Sequence, residues 1–479
     1  MVVQGDVALR RRHRAEWRAV ALILAAGLAQ RLYYLFLPVT VDDDTAAYTQ
    51  LAHNWFRHGV YGFVHAGHIV PSLIRLPGYP LFLGVVFAVF GPDNIRAALI
   101  LQGLIDLGAC WLLFDCLRAE VSSRAAWAGL LLAAFCPFTA AYSVDGMTES
   151  LSMACISLAI WSLARFVRAA RAGRTTVAPL LALAAATGCA TLLRPDGVLL
   201  LVVFAAAAFW YGSEGLGVAR SLRLAVFAAA LAALPLVPWT LRNERTFHQL
   251  QPLAPREANN PGEFTPSGFH RWLRTWSIDF VDTANVAWNQ SGVIDPQDIP
   301  ARACSTAQEC SETMALIAEH NRLHDVTPAL DAQFAALAAQ RIRERPWDYY
   351  LAMPALRVAD MWLRPRTELF DIDDDWWAFA DHPADSVIAI LLGLMNLGYV
   401  VLAIVGFARR RVPLAGALLA YILLRSVVLA TMPDPEQRYT MEYFPMLILA
   451  AACVFAGDRR NAGEDASAAV PEVPADTAA

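Results

Sequence analysis

The stretch Pro77-Gly78-Tyr79-Pro80-Leu81-Phe82-Leu83-Gly84-Val85-Val86-Phe87-Ala88-Val89-Phe90-Gly91 decides how the rest of the chain is read. Taken as a full membrane span, it reverses the sidedness of everything after it. About ten other windows come close to the ~20 apolar residues needed to cross a ~30 Å hydrocarbon core. They are residues 19–37, 97–117, 124–142, 149–167, 177–194, 197–212, 222–240, 386–407, 413–431 and 439–456. The arginines between them arbitrate. If 77–92 stays on one side, the N-tail, Arg118 and Arg124, Arg165 to Arg174, Arg220 and Arg223, Arg409 to Arg411, and Arg459 with Arg460 share the cytoplasmic face. That distribution obeys the positive-inside rule. If 77–92 crosses, those clusters past residue 97 fall outside, and the arginine-poor turns near 145, 195 and 435 fall inside. Residues 77–92 are therefore read as interfacial or re-entrant.

Composition agrees with a many-span membrane protein: 57% of residues are apolar, 17% are charged, and the mean hydropathy is +0.41. Such values lie outside the range of soluble domains. All 38 basic residues are arginine, which excludes lysine Schiff-base chemistry. Any phosphate the chain grips is held by guanidinium forks. A net charge of -5 gives no electrostatic case for nucleic acid. Arg10-Arg11-Arg12-His13-Arg14 before the first span reads as the start of an uncleaved signal anchor.

The topology divides the chain into an N-terminal membrane module, 1–240, that includes an outer loop, 38–96. A long outer loop, 241–385, a C-terminal membrane region, 386–457, and a disordered cytoplasmic tail, 458–479, complete it. Both termini are expected in the cytoplasm of a bacterial cell, around its inner membrane. In the long loop, residues 305–345 read as helical, and the segment from Arg345-Pro346-Trp347 to Trp362 suits an amphipathic helix on the membrane surface. Cys304 and Cys310 sit in this loop, on the oxidising side, and are a candidate disulfide.

The polar features converge on the outer face, whereas the cytoplasmic connectors hold no Gly-rich phosphate loop. Asp42, Asp43 and Asp44 stand just beyond the first span. One of them could cap the helix that begins near Thr45, but three adjacent carboxylates at a membrane edge favour a chemical role. Asp145 and Glu149 have the alternative of a cap and first-turn acid. Arg75, Arg242 and Arg438 could be interface anchors. Arg425 lies inside an apolar span and needs an acidic partner, for which Asp106 is the guess. The acids Asp371, Asp373, Asp374 and Asp375 read as a solvated loop, and His53, His58, His65 and His68 lack the spacing of a zinc site.

These residues, in order, resemble a known family. Asp44 precedes Tyr48 by four, with Ala52, Asn54 and Gly59 following; then come Arg75-Leu76-Pro77-Gly78-Tyr79-Pro80 and Phe90-Gly91. Pro137, Tyr142 and Thr148-Glu149-Ser150 follow, then Leu193-Arg194-Pro195, Pro238-Trp239-Thr240-Leu241-Arg242-Asn243, Arg438-Tyr439 and Pro445. The pattern is similar to that of GT-C fold glycosyltransferases, in particular the protein O-mannosyltransferase and lipid A aminoarabinose-transferase group.

The resemblance implies an all-α polytopic bundle, GT-C-like, with juxtamembrane helices in the first outer loop. It implies an inverting transfer of a sugar, hexosyl or pentosyl, from a polyprenyl-phosphate carrier to a glycan, lipid or protein acceptor on the outer face. By its spacing to Tyr48, Asp44 matches the family's acceptor-side aspartate, with Asp43 second. Substrate contacts are expected from Tyr48, Arg75, Tyr79, Asp145, Glu149, Arg194, Arg242, Arg438 and Tyr439. No cofactor or metal is required, and a divalent cation stays an open alternative because relatives differ in using one.

The chemistry is coherent on its own terms. A carboxylate aligned with the acceptor hydroxyl contributes roughly 10²- to 10⁴-fold as a base, and arginines neutralise the charge that develops on a departing phosphate. The competing reading is a transporter or lipid flippase; it lacks the two-fold hydropathy repeat many transporters show. Reporter fusions test the topology: a fusion at residue 95 is expected to report the outer face and one at 120 the cytoplasm. The reverse result, cytoplasm at 95 and the outer face at 120, would make 77–92 a span.

Overall fold

The computed structural model describes residues 2–37, 43–370, 372 and 375–457, with side chains described from residue 14 in the first stretch and from residue 44 in the second. Asp42, Asp371, Asp373, Asp374 and the tail 458–479 lie outside the described residues, as does the Asp43 side chain.

The chain is helical almost throughout. Its first half runs α1 (Val2–Leu35), α2 (Asp43–His58), strands β1 (Gly62–His65) and β2 (His68–Pro71), α3 (Gly78–Phe90), α4 (Ile95–Glu120), α5 (Ser123–Ala134) and α6 (Pro137–Tyr142). Then follow α7 (Glu149–Arg171), α8 (Val177–Leu193), α9 (Gly197–Leu216), α10 (Val218–Ala233) and α11 (Leu236–Phe247). The outer loop holds α12 (Ser267–Leu273), α13 (Phe280–Asp282), α14 (Ala307–Leu323), α15 (Pro328–Glu344) and α16 (Met353–Leu363). The chain closes with α17 (Pro383–Arg409), α18 (Ala415–Leu429), a 3₁₀ turn (Gln437–Tyr443) and α19 (Phe444–Cys453).

The all-α polytopic class holds, but the continuity of its spans differs from expectation. Among the described residues α4, α7, α9 and α17 are each long and apolar enough to cross a membrane, and α10 with α11 qualifies as a pair bent by 44°. α3, α8 and α18 are shorter apolar helices. Prolines mark the breaks, since each lacks an N–H and clashes with the preceding turn. Pro137 starts α6 inside the expected 124–142 span, and Pro235 stands between α10 and α11. The expected 439–456 span opens as a 3₁₀ turn before α19, which carries Pro445 in its first turn.

α3 covers 13 residues, about 20 Å at 1.5 Å per residue, so it falls short of the hydrocarbon thickness. It buries Tyr79, Leu83, Val86 and Phe87 while Leu81, Val85 and Val89 stay exposed, as suits a helix packed at the bundle's edge. α2 and α3 supply the juxtamembrane helices expected in the first outer loop. Between them stands a hairpin that sequence reading missed: β1 and β2 pair antiparallel, Gly62 with Pro71 through His65 with His68. Ala66 and Gly67 turn it with φ of 47° and 81°, the left-handed pair that a two-residue hairpin favours.

The long loop folds on its own core of Phe269, Trp272, Trp276, Ile317 and Phe334. α14 and α15 fill the stretch expected to be helical, each capped by a threonine, Thr306 and Thr327. Cys304, just before α14, is joined as a disulfide to Cys310 in the first turns of that helix. Ahead of α16, Trp347, Tyr350 and Leu351 are exposed, and within it Leu356 and Leu363 are exposed while Arg357 and Met361 are buried, so the helix has two unlike faces.

Small residues bring the spans together. A Cβ on Gly406 of α17 would lie 2.0 Å from the Ala450 carbonyl oxygen of α19, whereas one on Gly398 of the same helix would meet nothing within 4 Å. Gly406→Ala is expected to lower the melting temperature of the purified protein by an overpacking cost of about 1–3 kcal/mol. Gly398→Ala is expected to leave it unchanged or higher.

Candidate functional site

Helix α2 has two working faces. Asp44 and Tyr48, four residues apart, lie one above the other, while Thr45, Thr49 and His53 look the other way into a groove of about 1060 Å³ that Asp93, Arg96 and Asp145 also line. A Cβ on Gly146 would lie 2.3 Å from Thr45 Cγ2, so the start of α2 sits directly on the turn before α7.

On the first face, the Asp44 carboxylate is held by two guanidinium groups. Arg75 Nη2 donates to Oδ1 at 2.7 Å and Arg438 Nη1 to Oδ2 at 2.9 Å. The three residues come from positions 31 and 394 residues apart in sequence. Arg75 is placed by its own backbone: the Tyr61 hydroxyl donates to the carbonyls of Arg75 at 3.0 Å and Leu76 at 3.1 Å. Arg242 fixes that segment from below by donating to the Ser72 and Tyr61 carbonyls at 2.8 and 2.7 Å, its guanidinium against the rings of Tyr61, Trp239 and Phe247. Arg242 thus braces the hairpin one layer behind Asp44.

Arg438 is oriented from its other edge. Its Nε lies 2.6 Å from Glu436 Oε2, and the Tyr439 hydroxyl donates to Glu436 Oε1. The Tyr439 ring lies between two cations, 5.5 Å from the Arg438 guanidinium carbon and 5.7 Å from that of Arg194. Tyr48 stacks edge-on against Tyr79 at 5.0 Å, and Tyr79 donates to Gln102 at 3.0 Å. Gln102 in turn donates to the Asp145 carbonyl at 2.7 Å. Asp145 is buried, and its Oδ1 accepts from the Gly146 N–H at 2.8 Å.

A second ion network lies deeper. Arg194 faces Glu149 at 2.6 Å, Glu442 at 3.1 Å and Asp196 at 3.3 Å. Arg425 faces Asp196 at 2.6 Å and Glu442 at 2.9 Å, and donates to the Tyr439 carbonyl. The guessed Arg425–Asp106 pair is therefore wrong. Asp106 belongs to Arg31, which also donates to the carbonyls of Gly27 and Ala134 at 2.9 Å. Charges inside spans are paired within the bundle because an isolated one in hydrocarbon is too costly. Glu149 is thus a buried partner of Arg194 as well as a first-turn acid of α7.

Electrostatics separate the carboxylates. Burial alone would raise the Asp44 carboxyl, but the charges of Arg438 and Arg75 and the hydrogen bonds from both hold it down at about 2. Asp434, on the turn leading to Arg438, goes the other way: burial, reinforced by Glu436, lifts it to about 7. Glu436 is also raised by burial, against the pull of Arg438.

The structure brings Asp44, Tyr48, Arg75, Tyr79, Glu149, Arg194, Arg438 and Tyr439 into one connected cluster, with Asp145 at its edge. Cys304 and Cys310 lie in the long loop, which has a core of its own. Sequence reading missed Asp196, Glu436 and Glu442. Glu436 was readable from its place beside Arg438 in Pro433-Asp434-Pro435-Glu436, while Glu442 sits in a run that reads as span. Among the described residues no group of three or more His, Cys, Asp or Glu side chains is arranged to hold a metal ion.

Residues 71–240 match the model of the dolichyl-phosphate-mannose-protein mannosyltransferase family. The resemblance to GT-C membrane glycosyltransferases is borne out by that match, which includes Arg75, Tyr79, Asp145, Glu149 and Arg194 and stops just short of Arg242. No curated relative matches.

Among solved structures, the chain is similar to ArnT from Cupriavidus metallidurans in the apo state, with 16% identity, a TM-score of 0.41, and 95% of this chain and 80% of that one covered. The same protein bound to undecaprenyl phosphate gives 15% identity and a TM-score of 0.40, covering 95% and 81%. The oligosaccharyltransferase AglB from Archaeoglobus fulgidus, in complex with an inhibitory peptide and a dolichol-phosphate, gives 11% identity and a TM-score of 0.46, covering 96% and 53%.

The two arginine groups are expected to behave differently on truncation. Arg425→Ala removes one of the two arginines that share Asp196 and the buried Glu442, and should cost about 3–5 kcal/mol, the penalty for breaking a buried pair. Arg75→Ala, at a partly open position, should fold with a melting temperature close to wild type. Equal losses in thermal melts would remove the distinction.

Proposed function

We propose that this chain is an inverting glycosyltransferase that takes a sugar from a polyprenyl-phosphate carrier and passes it to an acceptor on the outer face of the membrane. The observation that carries the reading is the Asp44 carboxylate held between Arg75 and Arg438, at the bundle end opposite the arginine-rich connectors. The family match supports the reaction class.

In this reading Asp44 is the base that takes the proton of the acceptor hydroxyl as that oxygen attacks the anomeric carbon. The carbon–oxygen bond to the lipid phosphate breaks on the opposite side, which inverts the centre. Arg75 and Arg438 meet the charge released onto the phosphate, since the two converge on the one carboxylate at the start of α2, whereas Arg194 and Arg425 share Asp196 and Glu442 between helices. Guanidinium forks suit this task because they offer planar pairs of donors to phosphate oxygens. Arg194 and Arg425, saturated by Glu149, Asp196 and Glu442, hold the outer ends of α7, α8, α9 and α18 in register. Asp43 remains the second choice for the base, and its side chain lies outside the described residues.

The enclosing cell is read as bacterial, with the site on the outer face of the inner membrane, the termini in the cytoplasm, and membrane lipids around the bundle. The acceptor class is an envelope glycan, lipid or protein, and the sugar is a hexose or pentose. No cofactor is required in this scheme.

Asp44→Asn is expected to lower transfer of the sugar to envelope acceptors by roughly 10²- to 10⁴-fold while the protein still folds and still binds carrier lipid. Mass spectrometry of envelope lipids and glycans from a deletion strain, complemented with wild type or with the variant, reads the outcome. A variant that restores the wild-type glycan pattern would exclude Asp44 as the base.

A further inference from the structure

A base clamped by two arginines poses a chemical problem. A carboxylate held at about 2 has little appetite for a hydroxyl proton, and the two cations that hold it are the same two that the donor phosphate needs. Both facts have one resolution. Resting on the reading of the chain as a polyprenyl-phosphate-dependent transferase, we propose that Asp44 occupies the Arg75–Arg438 cleft as an internal stand-in for the lipid phosphate. Seating of the phosphate displaces Asp44, so the base is released only when the donor is in place.

The geometry is that of an anion site already filled. Each oxygen of Asp44 takes a different guanidinium, Oδ1 from Arg75 at 2.7 Å and Oδ2 from Arg438 at 2.9 Å, as two oxygens of a phosphate would. The other edge of Arg438 is committed to Glu436, with Nε 2.6 Å from Oε2, so the edge facing Asp44 is the one an incoming anion would use.

The neighbouring cations are not alternatives. Arg242 spends its donors on the carbonyls of Ser72 and Tyr61, and Arg194 and Arg425 are each bound to two or more carboxylates. Charge balance points the same way. Five acids, Asp44, Glu149, Asp196, Glu436 and Glu442, already face four arginines, Arg75, Arg194, Arg425 and Arg438, so a phosphate added beside Asp44 would deepen an existing excess of negative charge in a partly buried centre. An exchange avoids this.

The consequence is ordered chemistry. Before the donor binds, Asp44 is neutralised and a poor base. Afterwards, burial without its arginine partners makes it a stronger one. Binding the donor also costs the energy of breaking the clamp, so the affinity for phosphate is reduced by the fraction of protein in which Asp44 has already turned away.

The test uses the full chain in lipid nanodiscs and undecaprenyl phosphate without a sugar, so that it does not depend on knowing the transferred group. Kd is measured for wild type, Asp44→Asn, Arg75→Ala and Arg438→Ala. Asp44→Asn is expected to bind about tenfold more tightly than wild type, the shift given by relief of about one modest charge pair, and the two arginine variants at least tenfold more weakly. Unchanged or weaker binding by Asp44→Asn, with weakened arginine variants, would overturn the exchange and leave the donor reading standing. Arginine variants that bind undecaprenyl phosphate like wild type would overturn the donor reading itself, and the exchange with it. If Asp44→Asn does not fold, Asp44→Ser, which keeps a hydroxyl near the start of α2, is read by the same criteria.

Discussion

A carboxylate shared by two arginines at one end of the bundle is the interaction on which the rest of the site depends. The three charges arrive from separate places: the start of α2, the segment after the hairpin, and the 3₁₀ turn before α19. Holding them together requires that each backbone be fixed. Thr45 against Gly146 anchors α2, the Tyr61 hydroxyl and Arg242 anchor the Arg75 segment, and Glu436 aims Arg438. None of these contacts is strong alone, but together they place charged groups where neither full water nor full burial would keep them.

The absence of lysine gives this centre its character. Every cation is a planar fork, able to bind two acceptors at once. The deeper arginines use that capacity to staple helices: Arg194 and Arg425 share Asp196 and Glu442, and so join α8, α9, α18 and the turn before α19. The outer pair retains exposure and holds its shared carboxylate in a form that an incoming anion could contest.

The residues that meet in this cluster were marked in the sequence chiefly by the family resemblance: Asp44 by its spacing to Tyr48, and Arg75 by its place before Leu76-Pro77-Gly78-Tyr79-Pro80. The disulfide partners were readable from compartment and nearness in sequence. The hairpin was not, because the Ala66-Gly67 turn carries a weak signal in a four-residue strand pair. The partner of Arg425 was misread because pairing inside spans depends on which helices adjoin. Arg31 claims Asp106 from α1, while Asp196 reaches Arg425 across 229 residues.

By itself, the sequence determined that the chain is a many-span helical membrane protein with its polar chemistry at one end. Apolar length and arginine distribution are properties of the bilayer as a solvent and need no tertiary contacts. Tertiary structure alone decided which arginine serves which carboxylate, and which prolines break a span rather than merely begin one. Ion pairing needs partners within a few ångströms and strengthens as water is excluded, so the carboxylate an arginine serves is set by the elements that packing brings beside it.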